Sequence, residues 1–428
     1  MYMKQNPHYR EYLQILSEEL LPAMGCTEPI AIALAAAKAK ETLGALPEHI
    51  ELVVSGNIIK NVKSVTVPNT DGMKGLEAAA AVGVIAGHSD LLLEVVSKVT
   101  PEETARLREY MKACTFDVIP ANNGKVFYIK VNLEGNGHTA SCEIVDYHTN
   151  ITLVEKDGEA IFRGTASAGQ ETQQTDRTLL SVEEIISFAD CVDPADLKET
   201  VGRQIAYNTA ISKEGFTGKW GAAVGQALLQ MHGEDDVAAR ACAAAAAGSD
   251  ARMSGCDMPV VIVSGSGNQG MTASLPVVEY AKAKNASEEE MLRAVALADL
   301  ITIHQKTPIG RLSAFCGAVS AGCGAATGIA YLNGGRYDAI SHTIANTLAI
   351  CSGMICDGAK PSCAAKIASA VNAGLIGYQM FLNGHHEFMG GEGIVKKGVE
   401  NTIQSVGTLA REGMRQTDEK ILDIMVGK

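Results

Sequence analysis

Apolar positions along this chain change spacing several times. Over residues 9–21, Tyr9, Tyr12, Leu13, Leu16, Leu20 and Leu21 recur at helical intervals, which predicts an amphipathic helix. Pro22 to Pro29 interrupt it. Ile30 to Leu43 then reads as an alanine-rich helix, with Thr27 as its N-cap and Glu28 in its first turn. Residues 50–68 are β-rich: Ile50, Leu52 and Val54, a turn at Ser55-Gly56-Asn57, then Val62, Val65 and Val67, which predicts strand. Lys74 to Lys112 is helical again. Phe116–Ile119, Val126–Leu133, Thr139–Val145 and Ile151–Val154 read as strands separated by Gly and Asn turns. From about residue 180 nearly everything has helical spacing, apart from a buried-strand candidate at Pro259 to Val263.

These patterns predict an α+β protein. A large, mostly helical catalytic domain rich in Ala and Gly would cover residues 1–45 and 161–428, and a smaller mixed α+β domain would cover 46–160. A length of 428 residues supports a large core and two domains. Hydrophobic residues make up 46% but aromatics only 5%, and 43 glycines accompany runs such as Ala243–Ala247. The core is therefore expected to consist of close-packed helices touching through small residues. A formal net charge of −13 argues against nucleic acid and anionic membrane as partners. With no apolar leader at the N-terminus, it suits a cytoplasmic protein. Leu312 to Leu332 carries no charge, but Ala, Gly, Ser and Cys dominate it. That composition predicts a buried helix rather than a membrane span.

Eleven cysteines, an odd number, do not suggest a disulfide framework. Cys114, Cys142, Cys191 and Cys242 read as small core residues. Three others have a distinctive context. Cys316 lies in Ser313-Ala314-Phe315-Cys316-Gly317, and Cys356 and Cys363 bracket the polar loop Cys356-Asp357-Gly358-Ala359-Lys360-Pro361-Ser362-Cys363 between apolar helices. Their spacing is neither a ferredoxin run nor a zinc Cys-x-x-Cys pair. Three thiolates can hold three corners of an iron–sulfur cube and leave one iron open as a Lewis acid. On spacing alone, Cys323 and Cys351 compete as ligands, and plain core thiols compete with a metal site. Cys26, in Met24-Gly25-Cys26-Thr27-Glu28-Pro29, stands just before a helix start. Backbone N–H groups and the helix dipole there are expected to lower its pKa. It is a base, a fourth cluster ligand or a buried structural thiol.

Two loops between strand and helix carry candidate binding groups. In Ser264-Gly265-Ser266-Gly267-Asn268-Gln269-Gly270, the backbone of Ser266 and Gly267 and the amides of Asn268 and Gln269 form a natural cradle for a carboxylate or phosphate. In Val67-Pro68-Asn69-Thr70-Asp71-Gly72-Met73-Lys74-Gly75, Asn69, Thr70 and Lys74 can anchor a small anionic substrate. The competing reading of each is a structural turn, with Lys74 solvated in the second.

Taken together, Met24–Pro29, Val67-Pro68-Asn69-Thr70, Ser264–Gly270, Cys316 and Cys356–Cys363 resemble the L-cysteine desulfidase family, which is related to the iron–sulfur L-serine dehydratase α-chain. The resemblance spans nearly the whole chain, with the pieces in order. It implies a 4Fe–4S cluster on Cys316, Cys356 and Cys363, one readily lost in air, and Cys26 as proton acceptor. The Ser264–Gly270 loop is similar to the dehydratase Thr-Ala-Pro-Thr-Asn-Gly loop that faces the substrate, but its residues differ, so substrate choice does not carry over. The implied reaction is β-elimination of a small L-amino acid, L-cysteine giving pyruvate, ammonia and hydrogen sulfide, with L-serine dehydration as the alternative on the same scaffold. No pyridoxal phosphate is implied, and Lys60, Lys74, Lys306 and Lys360 have no phosphate-cofactor setting. No separate β-chain is implied, and the small-residue helices are compatible with a homodimer. A pyridoxal- or zinc-dependent hydrolase and a non-catalytic amino-acid-binding protein are the rivals from other classes.

Overall fold

The computed structural model describes residues 6–164, 174–310, 312–385, 391 and 393–427. The chain begins with α1 (Tyr9–Glu19), β1 (Pro22–Met24) and α2 (Thr27–Leu43), then β2 (His49–Val54), α3 (Gly56–Val62), α4 (Gly75–Ala86) and α5 (Pro101–Ala113). Five strands follow: β3 (Thr115–Pro120), β4 (Tyr128–Gly135), β5 (His138–Val145), β6 (Ile151–Lys156) and β7 (Glu159–Arg163). The helical part comprises α6 (Val182–Cys191), α7 (Pro194–Leu197), α8 (Arg203–Gly215), α9 (Val224–His232) and α10 (Val237–Met253), then β8 (Pro259–Val261) and α11 (Gly267–Lys284). It ends with α12 (Glu288–Ile309), α13 (Gly317–Leu332), α14 (Tyr337–Cys351), α15 (Cys363–Leu382), α16 (Val399–Thr408) and α17 (Arg415–Val426). The protein is α+β with a large helical part, as the sequence predicts.

One six-stranded sheet has the order β3-β2-β4-β5-β6-β7, with β2 parallel to β3 and the remaining pairs antiparallel. In β4, Ile129, Val131 and Leu133 alternate inward with no exposed surface, the period-two pattern of a strand with one covered face. Apolar packing groups this sheet with α2 and α4, and groups α8, α10–α16 and α1 in a second core. Helices in both cores meet through small residues. A Cβ on Gly83 would stand 2.3 Å from the Ala33 carbonyl oxygen, and one on Gly215 would stand 1.9 Å from that of Ala247. Backbone contact at this range requires glycine.

Two stretches differ from the sequence reading. Residues 56–62 form α3 rather than continuing the strand. Ile58, Ile59 and Val62 recur at helical spacing and are buried, and the ladders of β2 end at Val54. The predicted helix 74–112 is split by a 3₁₀ segment, Ser89–Glu94, and restarts at α5, where Thr100 and Glu103 form a reciprocal capping box and Pro101 takes the first turn. The uncharged stretch ending at Leu332 is buried helix α13. No helix among the described residues is long and apolar enough to cross a membrane.

A short ribbon positions the site. β1 pairs antiparallel with β8, Pro22 opposite Val261 and Met24 opposite Pro259. This sets Gly25 and Cys26 beside the segment that leads into the Ser264–Gly270 loop.

Candidate active site

Four long helices start around one point. Cys26 is the N-cap of α2, Ser266 of α11 and Cys316 of α13, and Cys363 is the first residue of α15. Specific contacts draw these ends together. Thr27 Oγ1 donates to the Gly265 carbonyl at 2.9 Å. The amide of Cys316 donates to the Met354 carbonyl at 3.0 Å, and that of Cys356 to the Ala314 carbonyl at 2.6 Å, which pins the two cysteine segments side by side. A Cβ on Gly317 would come within 2.7 Å of Gln269 Cδ, so α11 and α13 touch at their first turns. Cys26, Val65 and Met253 form a small apolar nest, with Ala359 and Cys363 packed against it. The Cys356–Cys363 loop is seated on α3 by Gly358. Its φ of +95° is left-handed, and a Cβ there would stand 2.3 Å from the Lys60 carbonyl oxygen. Lys60, buried and ion-paired with Asp418, donates to the Cys356 carbonyl at 3.4 Å. A cavity of about 950 Å³ on the α3 and α17 side reaches this point at Ser264 and Ala314.

Unpaired N–H groups and the positive ends of the helix dipoles make such a meeting point electropositive. It suits thiolates and carboxylates. Burial works against ionisation. It pushes the Cys316 thiol up to about 12, with the neighbouring Cys356 and then Cys363 adding to the shift. Cys363 is raised as well, again chiefly by burial. Cys26 departs from the sequence expectation of a lowered pKa. It is 2% exposed, and burial, then the charge of Glu28, hold its thiol well above the ordinary range, while Arg252 pulls the other way. Desolvation outweighs the helix terminus. The Cys26 thiol donates to Glu28 Oε2 at 3.3 Å. Glu28 is fixed in turn by Thr27 Oγ1 at 3.1 Å and Asn61 Nδ2 at 3.0 Å.

Among the described residues, no group of three or more His, Cys, Asp or Glu side chains is arranged to hold a metal ion. Cys316, Cys356 and Cys363 nevertheless fit an iron–sulfur ligand set. They are soft donors, and the hydrogen bonds from the Cys316 amide to Met354 and from the Cys356 amide to Ala314 bring their segments together. Cys323 does not belong with them. It is fully buried within α13, and its neighbours are Gln305, Thr347 and Cys351.

The other predicted site residues divide. Ser266 caps α11, its hydroxyl accepting from the Gln269 amide at 3.5 Å. Asn268 is half-buried, and Gln269 is buried with an Oε1 that has no hydrogen-bond partner among the described residues. Asn69 and Thr70 are engaged by their own surroundings. Asn69 Nδ2 donates to the Val96 carbonyl at 2.8 Å, and Thr70 Oγ1 donates to that of Val67 at 2.7 Å. Lys74 is an exposed N-cap of α4. This loop reaches the site through Pro68, which lies against Gly25 closely enough that a Cβ on the glycine would come within 2.5 Å of the proline Cγ.

Sequence reasoning missed Arg252. Near the end of α10, this buried guanidinium donates from Nε to the Gly25 carbonyl at 2.9 Å and from Nη1 to Asn268 Oδ1 at 3.1 Å. The signal was present: Ser249, Asp250 and Arg252 are polar breaks in a helix whose preceding turns are alanine.

Residues 91–423 match the family model for the serine dehydratase alpha chain. A UPF0597 protein of Desulfitobacterium hafniense is 55% identical over 426 residues, covering 99% of this chain and 98% of its own. UPF0597 proteins of Lachnoclostridium phytofermentans and Treponema denticola are 48% and 46% identical, each across 98% of this chain and 100% and 98% of their own. The chain belongs to the serine dehydratase alpha-chain family.

Proposed function

We propose that this protein is an iron–sulfur-dependent lyase that eliminates the β-substituent of a small L-amino acid, with L-cysteine as the substrate giving pyruvate, ammonia and hydrogen sulfide. The observation that carries the reading is the pairing of the Cys316 segment, at the start of α13, with the Cys356–Cys363 loop that leads into α15, with Cys26 packed beside Cys363. Membership of the serine dehydratase alpha-chain family supports a lyase. Cys316, Cys356 and Cys363 would hold a 4Fe–4S cluster, which when bound offers an open iron as Lewis acid to the departing sulfide or hydroxide.

The chain's own residues perform the remaining tasks. Ser266, Gly267, Asn268 and Gln269 orient the substrate, and the unpartnered Gln269 Oε1 is an acceptor suited to its ammonium group. Cys26 takes the α-proton. Its own proton moves first to Glu28 Oε2 at 3.3 Å, a transfer that burial makes uphill and the Arg252 charge assists, and the thiolate then accepts the proton from the α-carbon while the β-carbon–sulfur bond breaks. The enamine formed becomes an imine, and water hydrolyses it to pyruvate and ammonia. L-Serine is the second reading, favoured by the family name.

Anaerobic reconstitution with iron and sulfide, followed by pyruvate and sulfide assays on both amino acids, tests this. Pyruvate and sulfide from L-cysteine are expected. Faster turnover of L-serine would select the second reading, and no pyruvate from iron-loaded protein with either amino acid would refute both. Iron should fall in Cys316→Ala, Cys356→Ala and Cys363→Ala and stay in Cys323→Ala and Cys351→Ala. Air-purified protein should be largely iron-free and inactive.

A further inference from the structure

Arg252 is 2% exposed and has no carboxylate partner among the described residues. Buried charges are normally paired, because an unpaired one forfeits its hydration. Its two protein acceptors, the Gly25 carbonyl and Asn268 Oδ1, are both neutral. A guanidinium has five N–H groups in a planar fork, so most of its donors are uncommitted to protein. Glu28 makes no ion pair with it among the described residues, its oxygens facing Cys26 and Asn61. The fork is held in a fixed plane. Gly25 and Asn268 grip two of its nitrogens, and Gly267 lets the main chain lie against it, because a Cβ there would come within 2.5 Å of Nε and 3.0 Å of Cζ. The half-buried Cys363 and Asn268 place the guanidinium just beneath the accessible part of the site.

We infer that Arg252 anchors the α-carboxylate of the substrate through a bidentate pair, and thereby restricts the site to free α-amino acids. Asn268 is then a positioning residue that aims the guanidinium. The inference rests on the lyase reading given above and deepens it. A carboxylate is an anion that both L-cysteine and L-serine carry, and its two oxygens match the fork. When the α-proton leaves, negative charge spreads onto that carboxylate, and a fixed cation stabilises it without reorganising.

The test uses a probe with nothing to eliminate. Binding of L-alanine and of L-alaninamide to reconstituted protein is measured by equilibrium dialysis. The wild type should prefer L-alanine by about tenfold or more, the weight of one charge-assisted hydrogen bond. Arg252→Gln should remove that preference by weakening L-alanine alone, and Arg252→Lys, which keeps charge without the fork, should restore part of it. Gly267→Ala, which pushes the guanidinium aside without deleting it, should also reduce the preference, and it serves if Arg252→Gln does not fold. A wild type without preference, or a folded Arg252→Gln or Gly267→Ala that retains it, overturns the inference. Preference without pyruvate formation would sink the lyase reading and leave the anchor. Pyruvate formation with preference indifferent to Arg252 would do the reverse.

Discussion

Val67–Gly75 and Ser264–Gly270 share a plan. Each leads from extended backbone into a helix N-terminus, each is closed by a single bridge (Thr66 with Lys74, Val263 with Ser266), and each is rich in glycine, amide and hydroxyl groups. Their hydrogen bonds separate them. In the first, Asn69 and Thr70 donate to the carbonyls of Val96 and Val67, so both side chains are tied to the surrounding backbone. In the second, among the described residues, Gln269 Oε1 is buried without a hydrogen-bond partner and Asn268 Oδ1 holds a buried cation that has no ion-pair partner. Buried polar groups are almost always satisfied, so the unpaired groups of this loop are free to meet a ligand. Composition identifies both as polar loops, and only the pairing of donors with acceptors tells a turn from a cradle.

The largest test of that contrast is steric. A Cβ on Gly270 would lie 2.0 Å from the Val261 carbonyl oxygen, whereas Gly72 has a φ of +83° and nothing within 4 Å. Gly270→Ala must lift α11 off β8 and is expected to cost about 3 kcal/mol or more, or to prevent folding. Gly72→Ala meets only the left-handed backbone penalty, about 1 kcal/mol. Urea unfolding of the two variants should separate them clearly. Equal losses would mean that the second loop is no more tightly built into the core than the first.

A kinetic pair comes next. Asn268→Ala frees the Arg252 fork and should lower kcat/KM about tenfold or more, while Asn69→Ala should leave kcat/KM within about twofold and cost about 1 kcal/mol of stability. A reversed pattern would exchange the roles of the two loops.

The difference between the loops also marks where the sequence stopped being legible. Alternation in β4 and the Ala-rich helices were readable because period and residue size are local properties. The segment 56–62 was misread because Ile58, Ile59 and Val62 suit either element, and only the end of the β2 ladders decides between them. Three cysteines and two loops could be picked out by their neighbours. That the starts of α2, α11, α13 and α15 meet depends on the β1–β8 ribbon and on contacts such as Thr27 with Gly265, which join residues far apart in the chain. Arg252 went unread because its role depends on what it lacks. The expected lowering of the Cys26 pKa failed because a helix start is visible in a sequence, whereas 2% exposure and a carboxylate at 3.3 Å are not.

That thiol gives a smaller effect with a definite sign. Its folded-state pKa is raised, so the protonated form is favoured. The associated stability is present below the ordinary thiol pKa and is lost as pH rises through the folded value. In native protein free of metal, Cys26 should resist iodoacetamide at pH about 8, near the ordinary thiol pKa, while the half-buried Cys356 reacts. Glu28→Gln removes the second-largest raising influence and should shift the onset of Cys26 alkylation to lower pH. The Ser264–Gly270 side should act in the opposite sense, since Arg252→Gln deletes the charge that lowers the thiol and should delay alkylation further. Peptide mapping by mass spectrometry reads each site. No shift, or a shift upward, in Glu28→Gln would show that the carboxylate does not raise the Cys26 thiol.

Lys74 should give the smallest effect, and it is the one on which the comparison most easily fails. Its position at the N-cap of α4 places a cation at the positive end of a helix, where the dipole disfavours it. The side chain is exposed, so solvent screens most of that repulsion. Lys74→Ala should therefore leave stability within about 0.5 kcal/mol of wild type, with any gain favouring the variant. Kinetics should not change, because the Thr70 hydroxyl and the Asn69 amide beside it are already held by the Val67 and Val96 carbonyls. A tenfold rise in KM, matched to the about tenfold loss expected of one charged hydrogen bond, would mean that the lysine holds the substrate anion directly. The Val67–Gly75 loop would then be a second cradle, and closed internal hydrogen bonding would no longer distinguish a turn from a binding loop in this protein.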